Sequence, residues 1–131
     1  MKLVKQTLNK ISNNFSTLAE KSTSQIEEAS KLMLKGLKNG NKIMFCGNGG
    51  SASDAQHLSA ELVGRYMKNR QPLASIALTT DTSVITAISN DFSFDDIFSR
   101  QVESIGNEGD ILYAISTSSK SKNVINALKI A

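Results

Sequence analysis

The chain has no tryptophan, a single cysteine, a single proline and a single histidine in 131 residues, and aromatic side chains make up only 5% of it. The lone cysteine, Cys46, excludes an internal disulfide and fits a reducing compartment. With so few aromatics, the core has to be built from Ile, Leu, Val, Ala and Met. No apolar run approaches the ~20 residues needed to span a bilayer. Polar residues also interrupt the N-terminal MKLVKQTLNKI before a signal-peptide core can form. Neither sign of charge dominates, since 15 Lys and Arg against 12 Asp and Glu leave a net +3. The lysines (Lys2, Lys5, Lys10, Lys21, Lys31, Lys35, Lys38) are scattered rather than gathered into a basic stripe interleaved with aromatics. These absences lead to the expectation of a soluble, cytoplasmic protein with no nucleic-acid partner and no membrane partner.

What is present is one domain's worth of chain, 40% hydrophobic and 21% charged, inside the globular range. Val4, Leu8, Ile11, Phe15 and Leu18 recur at helical steps. A polar stretch, Lys21-Ser22-Thr23-Ser24, follows, and Ser24 with Glu27 has capping-box spacing. Ile26, Ala29, Met33 and Leu37 form a second stripe, so a pair of N-terminal helices is expected, stopped by Asn39-Gly40-Asn41. From Lys42 the pattern changes. Lys42–Cys46, Leu73–Leu78 and Ile111–Ile115 read as buried strands. Helices are expected over Ser51–Met67, Thr82–Ser89 and Asp95–Ile105, and from Lys122 onward. Strands alternating with helices predict an α/β, three-layer fold with a parallel sheet.

In such a sheet, ligands bind outside the carboxyl ends of the strands. One loop there is Gly47-Asn48-Gly49-Gly50-Ser51-Ala52-Ser53, whose glycines let backbone N–H groups approach a ligand at the start of a helix. It matches neither the dinucleotide-binding fingerprint nor a Walker A loop, and a purely geometric tight turn remains open. The other loop, Ser116 to Ser121, places four serines and a threonine at a strand end, a neutral cradle for a phosphate monoester or a strong helix cap. Between them lie the only histidine, His57, and Glu61, four residues apart on one helix face. That pair suits metal ligation, proton transfer by an oriented carboxylate, or a plain surface contact.

Taken together, Cys46-Gly47-Asn48-Gly49-Gly50-Ser51-Ala52-Ser53-Asp54-Ala55-Gln56-His57, Ala60-Glu61-Leu62 and Gly64-Arg65-Tyr66 closely resemble the phosphoheptose isomerases of the sugar-isomerase (SIS) fold. So do Ala77–Asp81, Ala87–Asp91, Phe98–Val102 and Ile115–Ser118. The resemblance implies a single SIS domain over 1–131 with a flavodoxin-like parallel sheet, and a homotetramer. It implies conversion of sedoheptulose 7-phosphate to D-glycero-D-manno-heptose 7-phosphate through an enediol, at the entry to heptose for lipopolysaccharide. By the same resemblance Glu61 is the catalytic base and His57 its catalytic neighbour. Asn48, Gly49, Gly50, Ser51, Asn90 and Asp91 contact the sugar, and Ser116, Thr117, Ser118 and Ser121 hold the phosphate. His57 and Glu61 match two ligands of the zinc found in some members. Two departures stand out. Ser119 occupies a position where the family usually has glycine. The family's C-terminal glutamine and histidine, which complete the metal site and the proton transfer, are absent, so the chain reads as truncated. Other readings are a non-catalytic SIS scaffold that binds a replication initiator, and a sugar-phosphate sensor. The relative of the scaffold type lacks the glutamate that this chain has at Glu61.

Overall fold

The computed structural model describes residues 2–131 and divides the chain into two compact units, Met1–Leu34 and Lys35–Ala131. One continuous helix, α1 (Lys2–Lys38), stands where a helical pair was expected. The polar stretch fails to break it for a local reason. Thr23 and Ser30 hydroxyls donate back to the carbonyls of Ala19 and Ile26, so they satisfy themselves inside the helical ladder. Ser24, the expected cap, turns its hydroxyl to the Gln25 side chain instead. No glycine or proline interrupts the segment before Gly36. Val4, Leu8, Ile11, Phe15 and Leu18 run along the helix as an exposed apolar stripe.

The unit Lys35–Ala131 is built on three parallel strands, β1 (Ile43–Gly47), β2 (Ser75–Ala77) and β3 (Ile111–Ile115), in the order β2-β1-β3. β1 is central, pairing Ile43 with both Ser75 and Ile111. A strand flanked on both edges and covered on both faces needs apolar residues throughout, and all of β1 is buried. Alternate side chains serve two layers. Met44 and Cys46 join Leu78, Ile97, Phe98, Val102, Val124 and Ala127 in the main core. On the other face, α2 (Gly50–Val63) packs over β1 and β2, with Ala55 and Ser59 buried. The remaining helices are α3 (Thr82–Asp91), α4 (Ser99–Ile105) and α5 (Lys122–Ile130), giving the expected three-layer α/β arrangement.

Several expected boundaries move. α2 stops at Val63 rather than Met67: the Gly64 N–H makes the last bond of the ladder, to the Ala60 carbonyl at 2.8 Å, Gly64 itself leaves the helical backbone at ψ −109°, and Met67 is left-handed at φ 57°. β2 is only Ser75–Ala77. The helix expected over 95–105 splits into a 3-10 turn, Phe94–Asp96, and α4. At the amino ends of the strands, Asp110 accepts hydrogen bonds from the Lys42 N–H (2.9 Å) and the Asn107 N–H (2.8 Å) and pairs with the Lys42 ammonium. Burial alone would raise this carboxyl. The hydrogen bonds from Lys42 and Asn107 and the lysine charge outweigh it and hold the group below the usual carboxylate range.

Candidate functional site

The order β2-β1-β3 reverses direction at β1, so a crevice opens outside the carboxyl ends of β1 and β3, the expected place for a ligand in this architecture. Gly47 pairs with Ile115, which sets the two loops singled out in the sequence side by side. Gly47 has to be glycine here. A Cβ would come within 2.8 Å of the Ser51 Cβ and 2.9 Å of the Ile115 carbonyl oxygen. Gly49 adopts φ 57° and ψ −123°, a region that only glycine enters at low cost. Gly50 begins α2, whose positive end is thereby directed at the crevice. Ser51 is half-buried behind it, its N–H on the Asn48 carbonyl at 3.0 Å.

A polar clasp locks the loops together. The Asn48 and Asn123 side-chain amides exchange hydrogen bonds of 2.8 and 2.9 Å across 75 positions of sequence. Asn123 is fully buried, and its oxygen also accepts from the Val124 N–H at 2.9 Å. Asn48 retains one N–H and one lone pair for a ligand. Asn123 was not singled out in the sequence, although it lies one helical turn before the buried Ala127 and therefore on the inward face of α5.

The hydroxyl loop is ordered by its own backbone. Ser116 Oγ accepts from the Ser119 N–H at 3.1 Å and Ser118 Oγ from the Lys120 N–H at 3.2 Å, with the two hydroxyls 3.5 Å apart. A hydroxyl that accepts in this way keeps its own proton to donate, which suits an anion. Ser121 sits at the cap position of α5 but makes no capping bond, so its hydroxyl is not consumed by the helix. Ser116, Ser119 and Ser121 line a cavity of about 160 Å³, and Thr117 is exposed beside it. Ser119 is left-handed at φ 54°, the conformation that glycine would adopt without strain.

Other predicted site residues lie apart. Asn90 donates to Asp91 Oδ1 at 2.8 Å, and Asp91 lines a second cavity of about 400 Å³ with Thr80, Asp81, Arg100 and Gln101, which none of the loop serines reaches. His57 Nε2 stands 3.8 Å from Glu61 Oε1, with the histidine side chain 75% exposed and the glutamate 32%. α2 runs antiparallel to the strands. Its start touches Gly47 at the end of β1, whereas Ser59 accepts from Ser75 at the start of β2 (2.9 Å). Glu61 therefore stands about 16 Å along the helix from Gly50, toward the opposite end of the sheet. The structure does not bring Glu61 to the loops of its own chain.

Cys46 adjoins the glycine loop and is fully buried, and burial pushes its thiol up to about 11, which disfavours the reactive thiolate. Zinc requires about four donors, and among the described residues no group of three or more His, Cys, Asp or Glu could hold a metal. His57 and Glu61 alone do not fit the ion.

Comparison with known proteins agrees with this architecture. Residues 7–131 match the SIS domain family, and the chain belongs to it. It is similar to the phosphoheptose isomerase of Aliarcobacter butzleri (strain RM4018), 61% identical over 106 residues, covering 81% of this chain and 56% of that protein. It is equally similar to a phosphoheptose isomerase of Campylobacter jejuni subsp. jejuni serotype O:6, 61% identical over 107 residues, covering 82% and 58%. Among solved structures, a phosphoheptose isomerase from Neisseria gonorrhoeae superposes with a TM-score of 0.91 at 45% identity, covering 99% of this chain and 67% of that one. One from Francisella tularensis gives 0.83 at 39%, covering 95% and 69%. The chain spans little more than half the length of the curated relatives it matches.

Proposed function

We propose that this chain carries the phosphate cradle and the catalytic base of a phosphoheptose isomerase. The substrate is sedoheptulose 7-phosphate and the product D-glycero-D-manno-heptose 7-phosphate, made for heptose-containing surface polysaccharide such as lipopolysaccharide, in the cytoplasm. The observation that carries this reading is the clasped pair of loops at the β1–β3 crevice, which sets a glycine loop beside a hydroxyl-rich one. The names of the relatives support it and do not favour the scaffold reading. No helix among the described residues is long and apolar enough to cross a membrane.

In the reaction, Ser116, Thr117, Ser118 and Ser121 donate to the phosphate, and the glycine loop with Asn48 and Ser51 holds the sugar hydroxyls. Asn90 and Asp91 contribute sugar contacts from the far side. The Glu61 carboxylate takes a proton from C1 of the ketose, leaving an enediol across C1 and C2. It returns the proton to C2 while a hydroxyl proton moves from O1 to O2. His57 beside it orients the carboxylate. Because Glu61 lies at the far end of α2 from its own loops, the base above one cradle comes from a second copy, as a homotetramer provides. The exposed apolar stripe of α1 supports such assembly, since a lone helix with an uncovered apolar face gains stability by packing it. Zinc is proposed only as an ion completed by donors beyond His57 and Glu61, and no step here runs through it.

The direct test is Glu61→Gln in the protein at its natural length. Turnover should fall on the order of 1,000-fold by loss of the base, while calorimetry should still register sugar-phosphate binding. Retained turnover would remove Glu61 from the mechanism.

A further inference from the structure

The segment after α2 folds back onto the end of that helix. Leu73 N–H donates to the Leu62 carbonyl at 3.0 Å. The guanidinium of Arg70 then reaches the same place: Nη2 donates to the Glu61 carbonyl at 2.6 Å, and Nη1 donates to the carbonyls of Leu62 (2.8 Å) and Gln71 (3.0 Å). A helix ends with carbonyls that have no intrahelical partner. Ala60 is satisfied by Gly64, and Glu61 and Leu62 are satisfied by Arg70. The planar fork of arginine suits two adjacent carbonyls as the single ammonium of lysine does not. Its charge also opposes the negative end of the helix.

We infer that Arg70 is a positioning residue for Glu61, clamping the last turn of α2 so that the carboxylate is held at one place for proton transfer. The inference rests on the reading of Glu61 as the base. Glu61 sits in the final turn of α2, two residues before its end at Val63. Final turns fray, and the free energy of opening them is low. A base that wanders by about 1 Å loses on the order of 100-fold in rate, even when substrate binding is unaffected. The guanidinium of Arg70 is engaged by three backbone carbonyls. It acts through the backbone carbonyl of the residue whose side chain does the chemistry.

The experiment measures kcat and KM for sedoheptulose 7-phosphate in the protein at its natural length, with Arg70→Lys and Arg70→Ala beside Glu61→Gln. Arg70→Lys keeps the charge and loses the fork, so kcat should fall about 3- to 10-fold with KM and Tm nearly unchanged. Arg70→Ala should lower kcat about 10- to 100-fold, again at nearly constant KM. Should Arg70→Ala fail to fold, the lysine variant alone decides. Wild-type kcat in Arg70→Lys, or a loss expressed only in KM or Tm, overturns the inference. Turnover surviving in Glu61→Gln, where Arg70 is intact, overturns the reading of the base and the positioning role with it. A kcat loss in both arginine variants together with an inactive Glu61→Gln supports both.

Discussion

Asp110 links a local charge to the stability of the sheet. Two backbone N–H groups and the Lys42 ammonium converge on a carboxylate that is only 4% exposed, joining the start of β1 to the start of β3. Its folded pKa is held below the unfolded value, so the stabilisation is fully present above about pH 4 and is lost as pH falls through the folded pKa. Asp110→Ala should cost about 2–4 kcal/mol at pH 7, because it leaves a half-buried ammonium and two N–H groups without their acceptor. Urea denaturation at pH 7 and pH 3 checks this: the wild type should lose more stability on acidification than the variant does, and equal losses would show that Asp110 is not the titrating contact. At this scale the sequence was legible where a residue's type restricts its use. Gly47 and Gly49 stood out as loop glycines, and each has a steric reason to be there. Asn123 was not legible, since its role depends on a partner 75 positions away.

At the scale of elements, β1 and β3 were readable because each is a short apolar run ending in a distinctive loop. The polar stretch within α1 carries the residues of a break without making one, because its Thr23 hydroxyl, like that of Ser30, bonds the carbonyl one turn back inside the continuous helix. The far end of α2 was overextended for a related reason. Tyr66 continues the apolar spacing, but Gly64 and the left-handed Met67 end the helix before it. The Ser119 position gives a quantitative test. A non-glycine residue at φ 54° is strained, and a β-branched one is worse. Ser119→Gly should leave stability unchanged or raise it by up to about 1 kcal/mol, whereas Ser119→Val should lower it by more than about 1 kcal/mol. Thermal melts that put Val level with Gly would mean that the loop relaxes out of the left-handed turn. The same pair reports on function, because Ser119 N–H fixes the Ser116 hydroxyl: phosphate-ester affinity should follow the order Gly, Ser, Val.

At the scale of the molecule, the question is how Glu61 and the hydroxyl loop, proposed as base and cradle, could serve one substrate from opposite ends of α2. The sequence shows both halves but not their separation, since spacing along a chain says nothing of direction until the helix is known to run antiparallel to the strands. Once it is, Glu61 lies at the far end of α2 from its own loops, and on the proposed reading a second copy supplies the carboxylate. That arrangement makes a prediction no single-chain site shares. Glu61→Gln protein and Ser118→Ala/Ser121→Ala protein should each be inactive alone. After unfolding and refolding together in equal amounts, half of the pairs contain one copy of each. In such a pair one of the two sites draws its glutamate from the serine-variant copy and its cradle from the Glu61→Gln copy, both intact. Activity should therefore return to about a quarter of the wild-type level. A site built within one chain would give no recovery, because every copy would still carry its own defect. Ile11→Asp with Phe15→Asp in α1 should abolish the recovery if the helical stripe is the seam, and sedimentation should show smaller species in step. Recovery that survives those charges would place the seam elsewhere on the molecule and leave the shared site standing.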